Sequence, residues 1–253
     1  MTYDFSYGWQ NPWRERDVLN ATEYAILMNE GAINSGQAPK YNDPYSFGVG
    51  TNWQKETFNY DAPVMNHQIS VSGASEKINY MFSLGYYEQE GIVGGNFNRS
   101  NYNRLTLRSN TQYTIFDESK NRNWLNNLKI TSNLSYARVR ARAIEANSSY
   151  YSPLGSALAL SPILTPYAEG DAAQAQLEKY AGDSNYTPVY SPDGKLYTIP
   201  GGDFNEMINP LASLSLPGAL SKTNKFVANF SAELQLWDNL KFRTSYGADV
   251  QFY

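Results

Sequence analysis

The chain has 253 residues, and its 20 Lys and Arg against 24 Asp and Glu leave a formal net charge of −4, which gives no sign of a nucleic-acid partner. It has no cysteine, which excludes a disulfide framework and thiolate chemistry, and a single histidine. Tyrosine is abundant at 21 residues, and no apolar run approaches the ~20 residues of a membrane-spanning helix, a test that a β-barrel escapes because half of each strand is polar.

The amino terminus, MTYDFSYGWQ, carries no basic n-region, apolar h-region or small-residue cleavage site. That fits a cytosolic chain and equally a sequence that begins inside a longer one. Tyr3, Phe5, Tyr7 and Trp9 alternate with Asp4, Ser6 and Gly8, predicting a strand near 2–10 that Pro12 ends. A helix follows. Asn20 is its N-cap, Glu23 completes a capping box, and Leu19 can staple onto Tyr24. Ala21, Tyr24, Ala25 and Met28 mark one face, and Gly31 supplies the stop. The rest of an outer loop, 11–64, is rich in Gly, Pro, Asn and Tyr and is pinned by Trp53, Phe58 and Tyr60.

Three alternating segments come next, predicting strands near 65–73, 77–88 and 102–115. Ile69 and Val71, then Ile78, Tyr80, Phe82, Leu84 and Tyr86, then Leu105, Leu107 and Tyr113 share an apolar face. Residues 89–101 form an outer loop, and 116–127 a polar connector. A further strand is expected near 128–139. The stretch 140–221 has no sustained alternation; it holds a short helix near 154–160 and a turn at Ser191-Pro192-Asp193-Gly194. Strands near 223–236 and 240–252 then form a hairpin about Trp237-Asp238-Asn239, with Phe226, Phe230, Leu234, Leu236, Phe242, Tyr246 and Val250 on the apolar face.

That face meets either lipid or a second sheet. Strands of roughly 10–13 residues, tilted in a membrane, span about the ~25 Å apolar band of an outer membrane. The connectors alternate between short and long, as on the two sides of a barrel. Tyr3, Tyr80, Tyr113 and Trp237 lie towards one boundary and Trp9, Tyr86, Tyr136 and Phe252 towards the other, as in two interfacial girdles. The expected fold is therefore all-β: part of an antiparallel up-and-down transmembrane β-barrel of about seven strands, with long outer loops and one short helix. Ile78, Tyr80, Phe82, Leu84, Tyr86, Leu105, Leu107 and the seven hairpin residues face lipid. Seven strands fall below the minimum of about eight for a closed bacterial barrel, so further strands are implied. The alternative is a secreted β-sandwich that binds carbohydrate.

The chain resembles the SusC/RagA family of TonB-linked outer-membrane proteins. The resemblance rests on Tyr7-Gly8-Trp9-Gln10, Val18-Leu19-Asn20-Ala21 with Glu23-Tyr24, Thr51-Asn52-Trp53-Gln54, and Ala62-Pro63-Val64 with Asn66-His67. It continues in Ser70-Val71-Ser72-Gly73, in Tyr80 through Gly91, in Pro188-Val189-Tyr190 with Asp193-Gly194, and in Asn209-Pro210-Leu211. It implies a barrel of the Gram-negative outer membrane that imports glycans, oligosaccharides or peptides. It also implies a SusD-like surface lipoprotein as lid, and contact with TonB through a plug that has no counterpart in these residues.

Ligand-binding candidates on the longest loop are Asn147, Tyr150, Tyr151, Tyr167, Asp183, Tyr186 and Tyr190, rings to stack on a sugar and polar groups to orient it. Catalysis has little support, and no catalytic residue, metal ligand or cofactor is assigned. His67 stands alone without a triad or metal motif. Glu88 and Glu90 could form a glycosidase pair, the basis of a weaker reading as a glycan-degrading enzyme. Gly91–Gly95 lacks the order of a phosphate loop. Asp203, Asn205 and Glu206 could touch a cation. The Asn-X-Ser/Thr matches at Asn133 and Asn229 fall inside strands, which marks them as composition and not glycosylation.

Overall fold

The computed structural model describes residues 1–117, 124–145, 148, 151–201, 204 and 207–253. Seven long strands form one antiparallel sheet: β1 (Thr2–Gln10), β2 (Ala62–Ala74), β3 (Ile78–Glu90), β4 (Asn101–Phe116), β5 (Asn127–Arg142), β8 (Ser221–Trp237) and β9 (Leu240–Phe252). Each pairs with the next long strand in the chain, and β1 and β9 are the two edges. The connectors after β1, β3 and β5 gather at one end of this meander, and those after β2, β4 and β8 at the other.

The register is continuous across the sheet. One row runs Tyr3–Ile69–Leu84–Leu107–Tyr136–Phe226–Val250. Directly paired residues share a face, so this row extends the period-two pattern from single strands to the whole wall. The apolar side chains on it stay open: Phe82, Leu84, Leu107, Phe226 and Val250 are all exposed. Among the described residues, the other sheet is only the short pair β6 (Tyr167–Ala168) and β7 (Leu196–Tyr197) within the longest connector. Among the described residues no second layer covers the apolar face, so the β-sandwich reading has no partner sheet to rest on.

Two bulges sit at the short-connector end. One separates the Thr114 and Phe116 pairings, and the other those of Gln235 and Trp237. An extra residue resets the alternation. Phe116 thereby pairs with Leu128, and Trp237 with Leu240, on the apolar face. Strict alternation could not have placed both Leu236 and Trp237 there; the bulge sets the two together opposite Leu240.

The long connectors hold more helix than the two stretches expected after Asn20 and near 154–160. They contain α1 (Ala21–Asn34), a 3₁₀ turn (Pro44–Phe47), α2 (Trp53–Thr57), α3 (Pro153–Ala159), α4 (Gly170–Lys179) and α5 (Pro210–Ser215). In α1 the Asn20–Glu23 capping box is formed. Gly31 is not its stop. The helix continues to Asn34, where Gln37 N–H bonds to Ala32 O and Gly36 N–H to Ile33 O, with Gly36 in the left-handed region at φ 74°. This is the two-bond ending that favours glycine one residue past the cap, whereas glycine inside a helix costs only about 1 kcal/mol.

The buried core lies in these connectors. Of the buried apolar side chains among the described residues, only Ala62 and Ala228 belong to the long strands.

Candidate functional site in the outer loops

Trp53 is the hub of the gathered loops. It is 4% exposed and packs with Ala157 and Leu160 of the third loop, while Leu164, Phe204 and Met207 close around them. Its indole Nε1–H donates to Ser161 O at 3.0 Å, and Thr51 N–H donates to Pro162 O at 2.8 Å. Gly50, at φ 70°, lets the backbones meet; a Cβ there would stand 2.3 Å from Pro162 O and 2.4 Å from Ala21 Cβ.

The neighbouring residues tie in the remaining loop segments. Asn52 caps α2 through Lys55 N–H. Buried Gln54 accepts from Arg16 N–H and donates to Arg16 O, both at 2.8 Å, so one amide holds the incoming chain as a strand partner would. Phe58 bridges to Val93, and Asn59 N–H donates to Ile92 O, which brings in loop 91–100. Gly94, at φ 71°, lies against Leu214 of α5. Tyr60 donates its hydroxyl to Glu15, and burial together with that carboxylate pushes the phenol up to about 12.

A second knot holds the end of the longest loop. Asn209 is buried; its Nδ2 donates to Pro166 O and Thr198 O at 2.9 and 3.0 Å, and its Oδ1 accepts from Leu211 and Ala212 N–H. Gln176 of α4 accepts from Ile199 N–H and donates to Tyr197 O. The rings of Tyr167 and Tyr197 stack at 5.2 Å, and burial raises both phenols. The expected turn is present: Gly194 N–H donates to Ser191 O, and the Ser191 hydroxyl donates to Asp193, which holds that carboxyl below its usual range.

A cavity of about 350 Å³ opens beside this knot, lined by Tyr186, Val189, Tyr197, Ile199, Met207, Asn209 and Leu216 among others. Of the expected ligand-binding residues, Tyr186 lines it and Tyr167 stacks on its wall through Tyr197. Tyr186 also packs on Tyr180, with centroids 4.8 Å apart. Tyr151 and Tyr190 are exposed elsewhere on the loop, and Asp183 accepts from Asn185 N–H within its own turn. Of the five that are described, Tyr186 and Tyr167 come together at this cavity. Asn147 and Tyr150, like Asp203, Asn205 and Glu206, lie outside the described residues. The residues missed as site builders are Asn209, Gln176 and Gln54. An available signal was Asn209 before Pro210, an N-cap followed by proline at the first helical position.

The catalytic alternatives are used differently. His67 Nδ1 shares a hydrogen bond with the Tyr3 hydroxyl at 2.8 Å on the apolar face. Glu88 accepts from the Tyr86 hydroxyl and the Asn103 amide, and Glu90 from the Asn59 amide, so both carboxylates are engaged by neighbouring side chains. No group of metal-ligating side chains occurs among the described residues.

On the wall, charge is segregated along the strands. By register, the apolar face carries Glu88, Glu90, Arg138, Arg140, Arg142 and Lys222 as its only charged side chains on the long strands, all at the outer-loop end. Arg104, Arg108, Lys129, Lys225, Glu233, Lys241, Arg243 and Asp249 lie on the opposite, polar face. That polar face also shows Lys225 paired with Asp249 at 3.0 Å.

No family model matches the chain. Curated relatives do. The chain is 25% identical over 98% of its length to the TonB-dependent receptor SusC of Bacteroides thetaiotaomicron, and 25% identical over 96% to TonB-dependent receptor P3 of Formosa agariphila. It spans about a fifth of the length of these relatives, 22% and 20%. Among solved structures, a RagAB peptide transporter chain superposes over 98% of this chain and 28% of its own length, with a TM-score of 0.66 at 18% identity. A RagAB peptide importer in its open-open state gives 0.58 at 20% identity. These neighbours carry the names of receptors and transporters, not enzymes. Along nearly its whole length the chain resembles TonB-dependent receptors of the SusC type in sequence and the RagAB transporter chains in fold.

Proposed function

We propose that the chain forms barrel wall and extracellular loops of a TonB-dependent importer in the outer membrane of a Gram-negative bacterium. The observation that carries this reading is the apolar face: it is uncovered, continuous over seven strands, and free of charge from the short turns up to the outer rim. An unsatisfied sheet edge cannot face hydrocarbon, so β1 and β9 pair with further strands that close the barrel. Ile78, Tyr80, Phe82, Leu84, Tyr86, Leu105, Leu107, Phe226, Phe230, Leu234, Leu236, Phe242, Tyr246 and Val250 contact lipid. The polar face lines the interior, where a plug would meet the TonB complex. The cargo is an oligosaccharide or a peptide. The loop assembly, with its cavity at Tyr186 and Tyr197, takes part in recognition of cargo or of a SusD-like surface lipoprotein; Asn147, Tyr150, Tyr151, Tyr167, Asp183 and Tyr190 are its further candidate contacts.

Single cysteines test the wall, since this segment has none of its own. In the full-length protein in outer-membrane vesicles, Phe82→Cys and Phe230→Cys react with a lipid-soluble maleimide and resist a charged one. Asn110→Cys and Ser231→Cys show the reverse. Equal reaction of both sets with the charged reagent would remove the barrel reading. Uptake of labelled oligosaccharides against labelled oligopeptides, before and after deletion of the gene, decides the cargo.

A further inference from the structure

We infer that the outer rim of the wall holds a phosphate-bearing lipid of the outer leaflet at a defined site on β5 and β8. This rests on the reading that the apolar face contacts lipid, and it goes further by naming one lipid chemistry and one place. Arg138 and Arg140 are two and four residues above Tyr136 on the same face of β5, and Lys222 pairs directly with Arg140 from β8. All three are exposed, and among the described residues none is in an ion pair. Arg142 follows on the same face and already donates to Asn98. The opposing carboxylates on this face, Glu88 and Glu90, are on β3, two strands or ~10 Å across. Glu88 is occupied by Tyr86 and Asn103.

The second observation lies just below. A shallow groove of about 350 Å³ is sunk into the apolar face between Phe82, Leu107, Leu134, Tyr136 and Phe226, where Ser109 leaves space between larger neighbours. From Tyr136 to Arg140 the strand rises ~13 Å. Acyl chain in the groove and phosphate at the cations therefore fit one amphiphile standing upright along β5. Cations placed at the end of an apolar stripe cost little there and attract anionic headgroups, whereas the same cations at mid-membrane would be strongly destabilising. Guanidinium groups also match phosphate oxygens in geometry.

The test uses the full-length protein, purified in mild detergent and exchanged into phosphatidylcholine nanodiscs with or without diphosphorylated lipid A. Native mass spectrometry counts the lipid A retained. The unaltered protein retains it, and excess inorganic phosphate does not displace it. The variant R138Q/R140Q/K222Q loses about tenfold in retention, equal to ~1.4 kcal/mol, while R138K/R140K keeps most of it and R104Q on the polar face is unaffected. Heat-modifiable gel migration confirms insertion; if the triple variant fails to insert, R140E alone is measured and the same loss is expected. Equal retention by the altered protein overturns the site, and displacement by inorganic phosphate alone assigns the cations to free phosphate and overturns it too. Phe230→Trp, remote from the rim, is quenched by brominated phosphatidylcholine if the wall faces lipid. Quenching with unchanged retention removes the site and leaves the wall; no quenching removes the wall itself.

Discussion

Trp53 and Ser161 are joined by an indole–carbonyl hydrogen bond across 108 residues of sequence. That contact, with Thr51 N–H to Pro162 O beside it, fastens the loop after β1 to the loop after β5, over the ends of the four strands between. Trp53→Phe keeps most of the packing but leaves the Ser161 carbonyl without its donor, a cost of about 1–3 kcal/mol. Trp53→Ala removes the ring as well and costs ~3–5 kcal/mol. Limited proteolysis of intact cells should cut loops 11–61 and 143–220 faster in that order. Heat-modifiable migration should stay unchanged, because the wall does not depend on this core.

Gly50 and Gly36 separate steric fit from backbone conformation. Both have positive φ, but only Gly50 faces atoms at contact distance. Gly36→Ala should cost roughly 1–2 kcal/mol for the left-handed backbone alone. Gly50→Ala should cost clearly more, since its Cβ must push Pro162 away and break the Thr51 hydrogen bond. Hydrogen exchange at Thr51 reads the difference: fast in Gly50→Ala, unchanged in Gly36→Ala.

Asn209 satisfies two carbonyls and two amides with one side chain. Asn209→Ala should destabilise the loop knot by more than the ~1 kcal/mol of an ordinary N-cap loss, because Pro166 O and Thr198 O are stranded as well. Asn209→Ser keeps a capping oxygen and loses the two amide donors, so it should lie between. The amides of Leu211 and Ala212 should exchange faster in the alanine variant than in the serine variant.

A charge placed on each face tests the wall energetically. Leu107→Arg, at the middle of the apolar row, should cost about 2–4 kcal/mol in lipid-refolding titrations. Its neighbour Thr106→Arg, on the polar face, should cost well under that. Equal effects would mean that the two faces see the same solvent.

Alkaline pH should loosen the first loop. The Tyr60 phenol is raised from 10.0 to about 12, so the folded state binds its proton more tightly than the unfolded chain. The stability it adds is complete below pH ~10 and is lost as pH rises towards 12. The half-exposed ring keeps the effect small. Ultraviolet titration of Tyr60→Phe should lack one late-ionising tyrosine, and exchange at Asp61 should lose its step between those limits.

The strands were legible because period-two alternation survives in each of them and needs no partner to be read. What alternation missed was local. It could not reconcile Leu236 with Trp237, since a bulge inserts one residue without a composition mark. It stopped α1 at Gly31, because a glycine that ends a helix and one inside it look alike until the hydrogen bonds of Gly36 and Gln37 are seen. The loops resisted for another reason. Helices of five to seven residues such as α2, α3 and α5 carry almost no periodicity. They stand on single contacts to distant backbone, Trp53 to Ser161 and Asn209 to Pro166, and sequence spacing does not encode such distances. The tyrosines drew attention as sugar platforms, yet Tyr167 and Tyr186 spend their faces on Tyr197 and Tyr180.

The confinement of the buried core to the loops means that two parts of one chain answer to different solvents. Water drives the loop assembly together around Trp53 and Leu214, so urea should dissolve it first and in a transition that lipid thickness hardly moves. The wall has almost no interior of its own to lose. With its apolar face against lipid, as proposed, its order is lent by the hydrocarbon outside, and it should hold until that medium, not the aqueous phase, is changed.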